Sequence, residues 1–440
     1  MTIAEYINKI RADGRPMEQI QAFLDKVEEF KGHNAIIELN PDLAAEAAAL
    51  DLAADLPLLA VPIVVKDNVN TAGRMHTTAG SLALAGNIAP KDAPLVESLR
   101  RAGALIIGKA NLTEFSNFMS TMPNGYSSRG GQTRSVHNGY MDTYGSSSGS
   151  AVAVALGMCL GAIGTETCGS IITPAIKAGI YGIKPTAGLI SGEGVVPISF
   201  TCDTAGPMAA NADNLAVLMA VLAETSYDIK PIEGLRIGVT RMGADMPWHG
   251  DQIDRQISPL SPSYIKGQEL VLNKLKSRGA VIKELDNPKI DSGAIFSLIR
   301  HEFKYSMNEY LKSCNNPNIP QTLADIIAFN NQNAAAALKF GQSILIEAQD
   351  KTSGELNESV YRECMEKRAA AISSLLSFFE AQEIDAIFSI NMDISLAAFT
   401  GLPSMTIPTA QEGELPVGSL FIAKPYGEDV LLSIAKGLEG

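Results

Sequence analysis

Three places in this 440-residue chain join a reactive side chain to unusual backbone freedom. The first is Lys66, which follows the nearly continuous apolar run Leu56–Val65 (LPLLAVPIVV). The length and two-sided apolarity of that run predict a buried parallel strand in the part beyond the prolines. Ligands of open α/β sheets bind at the carboxyl ends of such strands. A lysine held there loses solvation, which lowers its pKa and makes the neutral amine accessible. A strand-end lysine that snorkels to water fits the same pattern. The second place is Gly145-Ser146-Ser147-Ser148-Gly149-Ser150. It opens a helix of small residues, about Ser150–Met158, with no polar face. Free N–H groups and hydroxyls there can converge on an anion or a polar substrate. A flexible Gly/Ser turn is the plainer alternative, and the GxxxxGK[ST] spacing of a phosphate loop is missing. The third is Thr165-Glu166-Thr167-Cys168-Gly169-Ser170, between a short strand (Leu160–Gly164) and a helix turn opened by Pro174. A tight turn would aim successive N–H groups into one concavity beside the Ser170 hydroxyl. Acyl transfer needs a hydroxyl and an oxyanion hole within about 3 Å of one carbon. A polar strand-to-helix connection is the ordinary role of such residues.

The five histidines, His33, His76, His137, His249 and His301, test for a Ser-His-Asp triad. None has a nucleophile-elbow context, and GxSxG is absent. His76 and His137 lie near the motifs, but surface or structural roles are expected for them. No pair of carboxylates stands out for glycosidase chemistry. A serine hydrolase without histidine needs another base, and lysine is the known substitute. The lack of a triad histidine therefore adds weight to Lys66.

The elements that would position these residues follow from periodicity. Residues 1–50 read as helical, with Ile20, Phe23, Leu24, Val27 and Phe30 on one face. Asp42 is placed to cap an Ala-rich helix running to about Ala54. Asp92 caps a helix with Pro94 in its first turn, Gly103 closes it, and Ala104–Ile107 is a strand. Residues 120–150 are loop-like, and loops of that length in enzymes are usually functional or disordered. Further strands are expected at Leu235–Val239, Val281–Glu284, Ala386–Ile390, Ser404–Ile407 and Ser419–Ala423. Residues 290–383 are helical throughout. The alternation predicts an α/β fold with a mostly parallel sheet. No repeat and no interdomain linker is visible. One domain over 1–440 is expected: N-terminal helices 1–55, a catalytic core 56–225, and a helical insertion 290–383 shaping the substrate pocket.

Composition bounds the partners. Lys and Arg total 35 against 48 Asp and Glu, a net charge of −13. That balance argues against a nucleic-acid or anionic-membrane surface. Five cysteines, Cys159, Cys168, Cys202, Cys314 and Cys364, are sparse, odd in number and without CxxC spacing. A disulfide scaffold and a zinc site are not expected, nor is any other metal or cofactor. The N-terminus lacks a signal-peptide h-region. The longest uncharged apolar stretch, Ala151–Gly164, is too short to span a bilayer. A soluble cytoplasmic protein, monomer or homo-oligomer, is expected. Aromatic residues are only 6%, with one Trp, Trp248, while Gly numbers 38.

Taken together, VPIVVKDNVNTAG, YGSSSGSAVAVA and GTETCGSIITPA resemble the amidase signature family of serine hydrolases. Ser146 and Ser170 stand 24 residues apart, as in the family pattern. TTAGSLAL, AGALIIGKANLTEF, SSRGGQT, YGIKPTAGLIS, the DTAGPMA run and ELPVGSLFIAKPYGEDVLLSIA are also similar, so the resemblance covers nearly the whole chain. It implies a mixed, mostly parallel central sheet covered by helices on both faces, in agreement with the alternation, and a Ser-cisSer-Lys site. Ser170 would be the nucleophile, Ser146 the proton carrier through a cis peptide bond, and neutral Lys66 the base. The backbone N–H groups of Thr167, Cys168, Gly169 and Ser170 would form the oxyanion hole. Phe115, Asn117, Phe118 and Met119 sit where relatives contact the acyl group.

Two positions depart from the family pattern: Cys168 replaces a Gly or Asp, and Ile172 replaces a frequent Arg. The stretch Ile387–Gly401 also looks shorter than in many relatives. The expected activity is hydrolysis of a linear carboxamide, a small-molecule substrate, to acid plus ammonia or amine. Alternatives are the glutamine-hydrolysing component of a tRNA-dependent amidotransferase, a catalytically silent binding protein, and an amide-forming acyltransferase.

Overall fold

The computed structural model describes residues 1–137, 142–241, 262–390, 392–409 and 416–439. Trp248 and His249 lie outside the described residues, as do parts of the 120–150 loop and of the closing segment. Among the described residues thirteen strands are formed: β1 (Ile36–Leu39), β2 (Pro62–Lys66), β3 (Leu105–Ala110), β4 (Tyr126–Ser127), β5 (Gly131–Gln132), β6 (Gly161–Glu166), β7 (Tyr181–Lys184), β8 (Thr204–Ala209), β9 (Arg236–Thr240), β10 (Val281–Leu285), β11 (Ala386–Ser389), β12 (Ser404–Thr409) and β13 (Val417–Ala423). Eleven of them make one sheet in the order β1-β3-β2-β6-β8-β7-β12-β13-β11-β9-β10. The expected mixed sheet covered by helices is observed. Parallel pairing is concentrated in two blocks, β3-β2-β6 and β11-β9-β10. The remaining adjacencies are antiparallel.

Most elements stand where periodicity puts them, and four corrections have local causes. Residues 1–50 are not all helical: after the helices Ile3–Asp13 and Pro16–Glu29, β1 pairs antiparallel with β3. The Ala-rich helix stops at Ala48 rather than Ala54, and Asp42 does not cap it with its side chain. Its carboxylate is taken by Arg74 Nε at 2.7 Å. Before Pro94 the N-cap residue is Ala93. Asp92 instead accepts the Ala72 N–H at 2.6 Å and pairs with Arg100. Within the 120–150 loop, β4 and β5 make a small antiparallel pair.

The buried apolar side chains form separate clusters. The largest packs the strand block around β2, β3 and β6 against flanking helices and includes the fully buried Val64, Ile106, Ile163, Ile171 and Met208. A second joins Phe115, Phe118 and Met119 to Phe303, Met307, Leu323 and Leu345 of the helices that follow residue 290. A third gathers Ile172, Ile176, Leu375, Phe379, Leu396 and Leu420. The helical stretch is real: Ile295–Ser313, Leu323–Gln332, Ala334–Ala337, Ser343–Lys351 and Ser359–Ala381. Among the described residues no helix is long and apolar enough to cross a membrane.

Candidate active site

Strand β2 is buried along its whole length and runs parallel to both β3 and β6. The carboxyl ends of β2 and β6 therefore open onto one edge of the sheet. Lys66 ends β2 there, fully buried. It does not snorkel. Its Nζ lies 2.8 Å from Ser146 Oγ, 2.8 Å from Thr165 Oγ1 and 3.2 Å from the Thr165 carbonyl, each within hydrogen-bond reach. Burial brings the Lys66 pKa down to about 7, against an opposing pull from Asp203 and Glu166.

Ser146 enters this contact from the Gly/Ser run. The Gly145–Ser146 peptide bond is cis, as the resemblance implies. The Ser146 carbonyl accepts the Thr113 N–H at 3.1 Å, and the Ser147 N–H donates to the Ser170 carbonyl at 3.1 Å. Ser147 Oγ donates to the Thr165 carbonyl at 3.1 Å. The run is thus stitched to the end of β6 and to the third motif, which excludes the flexible-turn alternative. The helix it opens spans Ser148–Ala155, two residues earlier than expected, and is buried almost throughout. Small residues are required for that burial. A Cβ at Gly149 would stand 2.4 Å from the carbonyl oxygens of Ala35 and Asn111, closer than real side chains approach backbone.

The third motif leaves β6 and turns into the helix Ile172–Ala178. Gly169 turns the chain with φ +86°, a region that favours glycine. Glu166 Oε2 accepts the N–H groups of Ile171 and Ile172 at 2.6 and 2.9 Å. The N–H groups of Cys168, Gly169 and Ser170 have no acceptor among the described residues. The Ser170 side chain is nearly buried, and its hydroxyl makes no hydrogen bond among the described residues. All three clusters meet at this turn. Ile171 belongs to the first, Cys168 packs against the second, and Ile172 lies in the third.

Several residues of the site carry no signal of their own in the sequence. Asn68 Nδ2 donates to Thr165 Oγ1 at 3.0 Å and to Ser116 Oγ at 3.3 Å. Asp203 Oδ1 accepts the Thr167 hydroxyl at 2.6 Å, and its Oδ2 accepts the N–H groups of Ile198 and Ser199 at 2.7 and 2.9 Å. Burial pushes the Asp203 carboxyl up to about 6. Asn68 follows the lysine in KDN, and Asp203 opens DTAGPMA, so only their places in quoted motifs mark them.

Phe115, Phe118 and Met119 are buried in the second cluster, whereas Asn117 is exposed. Phe115, Ser116 and Asn117 have φ of +48°, +55° and +72°. This left-handed run places Ser116 against Asn68, so the segment reaches the lysine cluster through Ser116. Cys168 is no competing nucleophile, because burial and nearby Glu166 push its thiol up to about 12. Of the described histidines, His76 pairs with Glu38 at 2.8 Å, His33 Nδ1 faces the Arg134 carbonyl and His301 Nδ1 the Ser297 carbonyl. None hydrogen-bonds Ser146 or Ser170.

Comparison with known proteins agrees with this architecture. The chain belongs to the amidase family, enzymes that hydrolyse amide carbon–nitrogen bonds: the family model described as Amidase matches residues 18–392. It is 34% identical over 436 residues to a probable amidase of Arabidopsis thaliana, covering 92% of this chain and 82% of that one. The crystal structure of native peptide amidase from Stenotrophomonas maltophilia matches with TM-score 0.86 at 34% identity, over 100% of this chain and 96% of that chain. A component of the glutamyl-tRNA(Gln) amidotransferase of Deinococcus radiodurans is 30% identical, covering 96% of this chain and 93% of its own.

Proposed function

We propose that the chain hydrolyses a linear carboxamide to acid plus ammonia or amine, through an acyl-enzyme on Ser170. The observation that carries this is the set of contacts at Lys66. A neutral amine has two N–H groups and one lone pair. The two N–H groups satisfy the carbonyl and the hydroxyl of Thr165, which leaves the lone pair for the Ser146 hydroxyl. A lysine with pKa near 7 holds that form at neutral pH.

In this mechanism Ser170 Oγ attacks the substrate carbonyl as its proton passes to Ser146 Oγ, and the Ser146 proton passes to Lys66 Nζ. The oxyanion takes up the uncommitted N–H groups of the turn, with Thr167 adjoining them. The relay then returns the proton to the departing nitrogen. Water repeats the sequence on the acyl ester. The segment Phe115–Met119 and the helices beyond residue 290 wall the acyl and leaving-group sides. The substrate is a small amide, and neither nucleic acid nor a membrane takes part.

Ser170→Ala and Lys66→Ala should each abolish ammonia release across a panel of short aliphatic, aromatic and C-terminal peptide amides. A sulfonyl fluoride should leave one covalent adduct on Ser170 by intact mass. Turnover retained in Ser170→Ala would sink the proposal. The amidotransferase relative favours a second reading, glutamine hydrolysis within an amidotransferase. Ammonia release from glutamine in preference to every amide of the panel would select it.

A further inference from the structure

We propose that Glu166 and Asp203 are positioning residues whose carboxylates grip the turn Thr167–Ser170 from both ends, so that its free N–H groups face the reacting carbonyl. The inference rests on the acyl-enzyme reading of Ser170 and adds to it the residues that build the oxyanion site.

The geometry is two-sided. Behind the turn, Glu166 Oε2 takes the N–H groups of Ile171 and Ile172. Ahead of it, Asp203 Oδ1 takes the Thr167 hydroxyl while its Oδ2 anchors Ile198 and Ser199. Between the grips, the N–H groups of Cys168, Gly169 and Ser170 stay uncommitted among the described residues. Hydrogen bonds to an ionised carboxylate are about twice as strong as neutral ones, so each grip fixes direction as well as position.

The surroundings suit charged grips. Glu166 is buried, and its Oε1 has no hydrogen-bond partner among the described residues. Position 172, where the family often has Arg, supplies a buried isoleucine and no charge. Glu166 therefore takes its cationic company from two buried lysines, Lys66 and Lys184, and faces the Cys168 thiol. Asp203 interacts electrostatically with Lys66 and with the carboxylate of Glu302. The same two carboxylates oppose the loss of the Lys66 proton, Asp203 more than Glu166. They thus join the turn to the proposed base.

That double role gives a test that mere packing does not reproduce. Glu166→Gln and Asp203→Asn keep shape and remove charge. Each should lower kcat at least tenfold with little change in KM. Each should also move the acid limb of kcat/KM to lower pH, by roughly half to one unit, because losing an opposite charge favours the neutral lysine. Thr167→Val removes the Asp203 grip without removing charge. It should lower kcat while leaving the acid limb in place, and Thr167→Ser should restore kcat to within about threefold of wild type, since it keeps the hydroxyl. Folded carboxylate variants with wild-type kcat, or with the acid limb unmoved, would overturn the proposal. So would a Thr167→Val loss that Thr167→Ser does not repair. Sulfonyl fluoride labelling of wild-type Ser170 is run alongside. Its failure rejects the acyl-enzyme reading itself, whatever the variants do.

Discussion

Acidification offers the most direct test of the proposed proton relay. Lys66 must be neutral to accept a proton from Ser146, and burial has brought its pKa down to about 7. The sign follows: protonation on the acid side removes the base, so kcat/KM must rise with pH and level off above 7. Simple ionisation gives a neutral fraction of about one half at pH 7 and about one hundredth at pH 5, hence roughly a hundredfold loss of kcat/KM between pH 8 and pH 5. Asp203, raised to about 6 by burial, adds a refinement. Its protonation near pH 6 withdraws a negative charge from Lys66 but also removes the charged grip on Thr167, so the acid limb should be no shallower than tenfold per pH unit below that point. The assay is ammonia release at substrate well below KM, from pH 5 to 9 at constant ionic strength. Thermal melts over the same range separate loss of base from loss of fold. A profile flat down to pH 5 in a protein that stays folded would refute the neutral-lysine role, because even strongly buried lysines reach pKa values of only about 5–6.

Two further outcomes follow from the same structure. A lysine whose folded pKa is about 7 against an ordinary 10.5 makes folding costlier at neutral pH than at alkaline pH. The unfolded chain binds the extra proton between those values, so this contribution to stability rises with pH. Lys66→Met removes it, and the urea-melt difference between variant and wild type should move by about 4 kcal/mol in favour of wild type from pH 7 to pH 10. A pH-independent difference would contradict this. Gly169→Ala forces a side chain into φ +86° with its Cβ 3.3 Å from Ile394 Cγ2 and Thr173 Cγ2. The left-handed conformation costs Ala about 1–2 kcal/mol. The turn should relax away from that geometry, lowering kcat and slowing adduct formation at Ser170 in stopped-time mass spectrometry; unchanged rates would show that the turn geometry is not limiting.

The legible parts of the fold are those with strong local patterns. Leu105–Ala110, Arg236–Thr240 and Val417–Ala423 are rich in branched apolar residues and stand close to where periodicity puts strands. The strand Thr204–Ala209 reads only as a motif, because TAGPMA has no period and carries Gly and Pro. It is held in the sheet by its neighbours β6 and β7. Strand β1 is hidden in a segment that reads as helical, since its partner lies some seventy residues further on. In the site, Lys66, Ser146 and Ser170 stand out through strand-end placement and Gly/Ser-rich turns. Their company does not. Thr165 meets Lys66 only because β2 and β6 run parallel side by side, and Asn68 meets Ser116 only through three successive left-handed residues. Such contacts are set by tertiary convergence, which no local pattern records.

The meeting of three apolar clusters at one short turn makes that turn a strain gauge for the whole molecule. Cys168, Ile171 and Ile172 each report to a different cluster, within five residues of one another. Close-packed interiors transmit displacement rather than absorb it. Slack introduced at Phe303, at Leu375 or at Met208 therefore reaches the same few N–H groups by separate routes. Turnover then becomes a more sensitive index of internal packing than melting temperature, and repairs made in one cluster can be read out as recovered rate in a variant damaged in another.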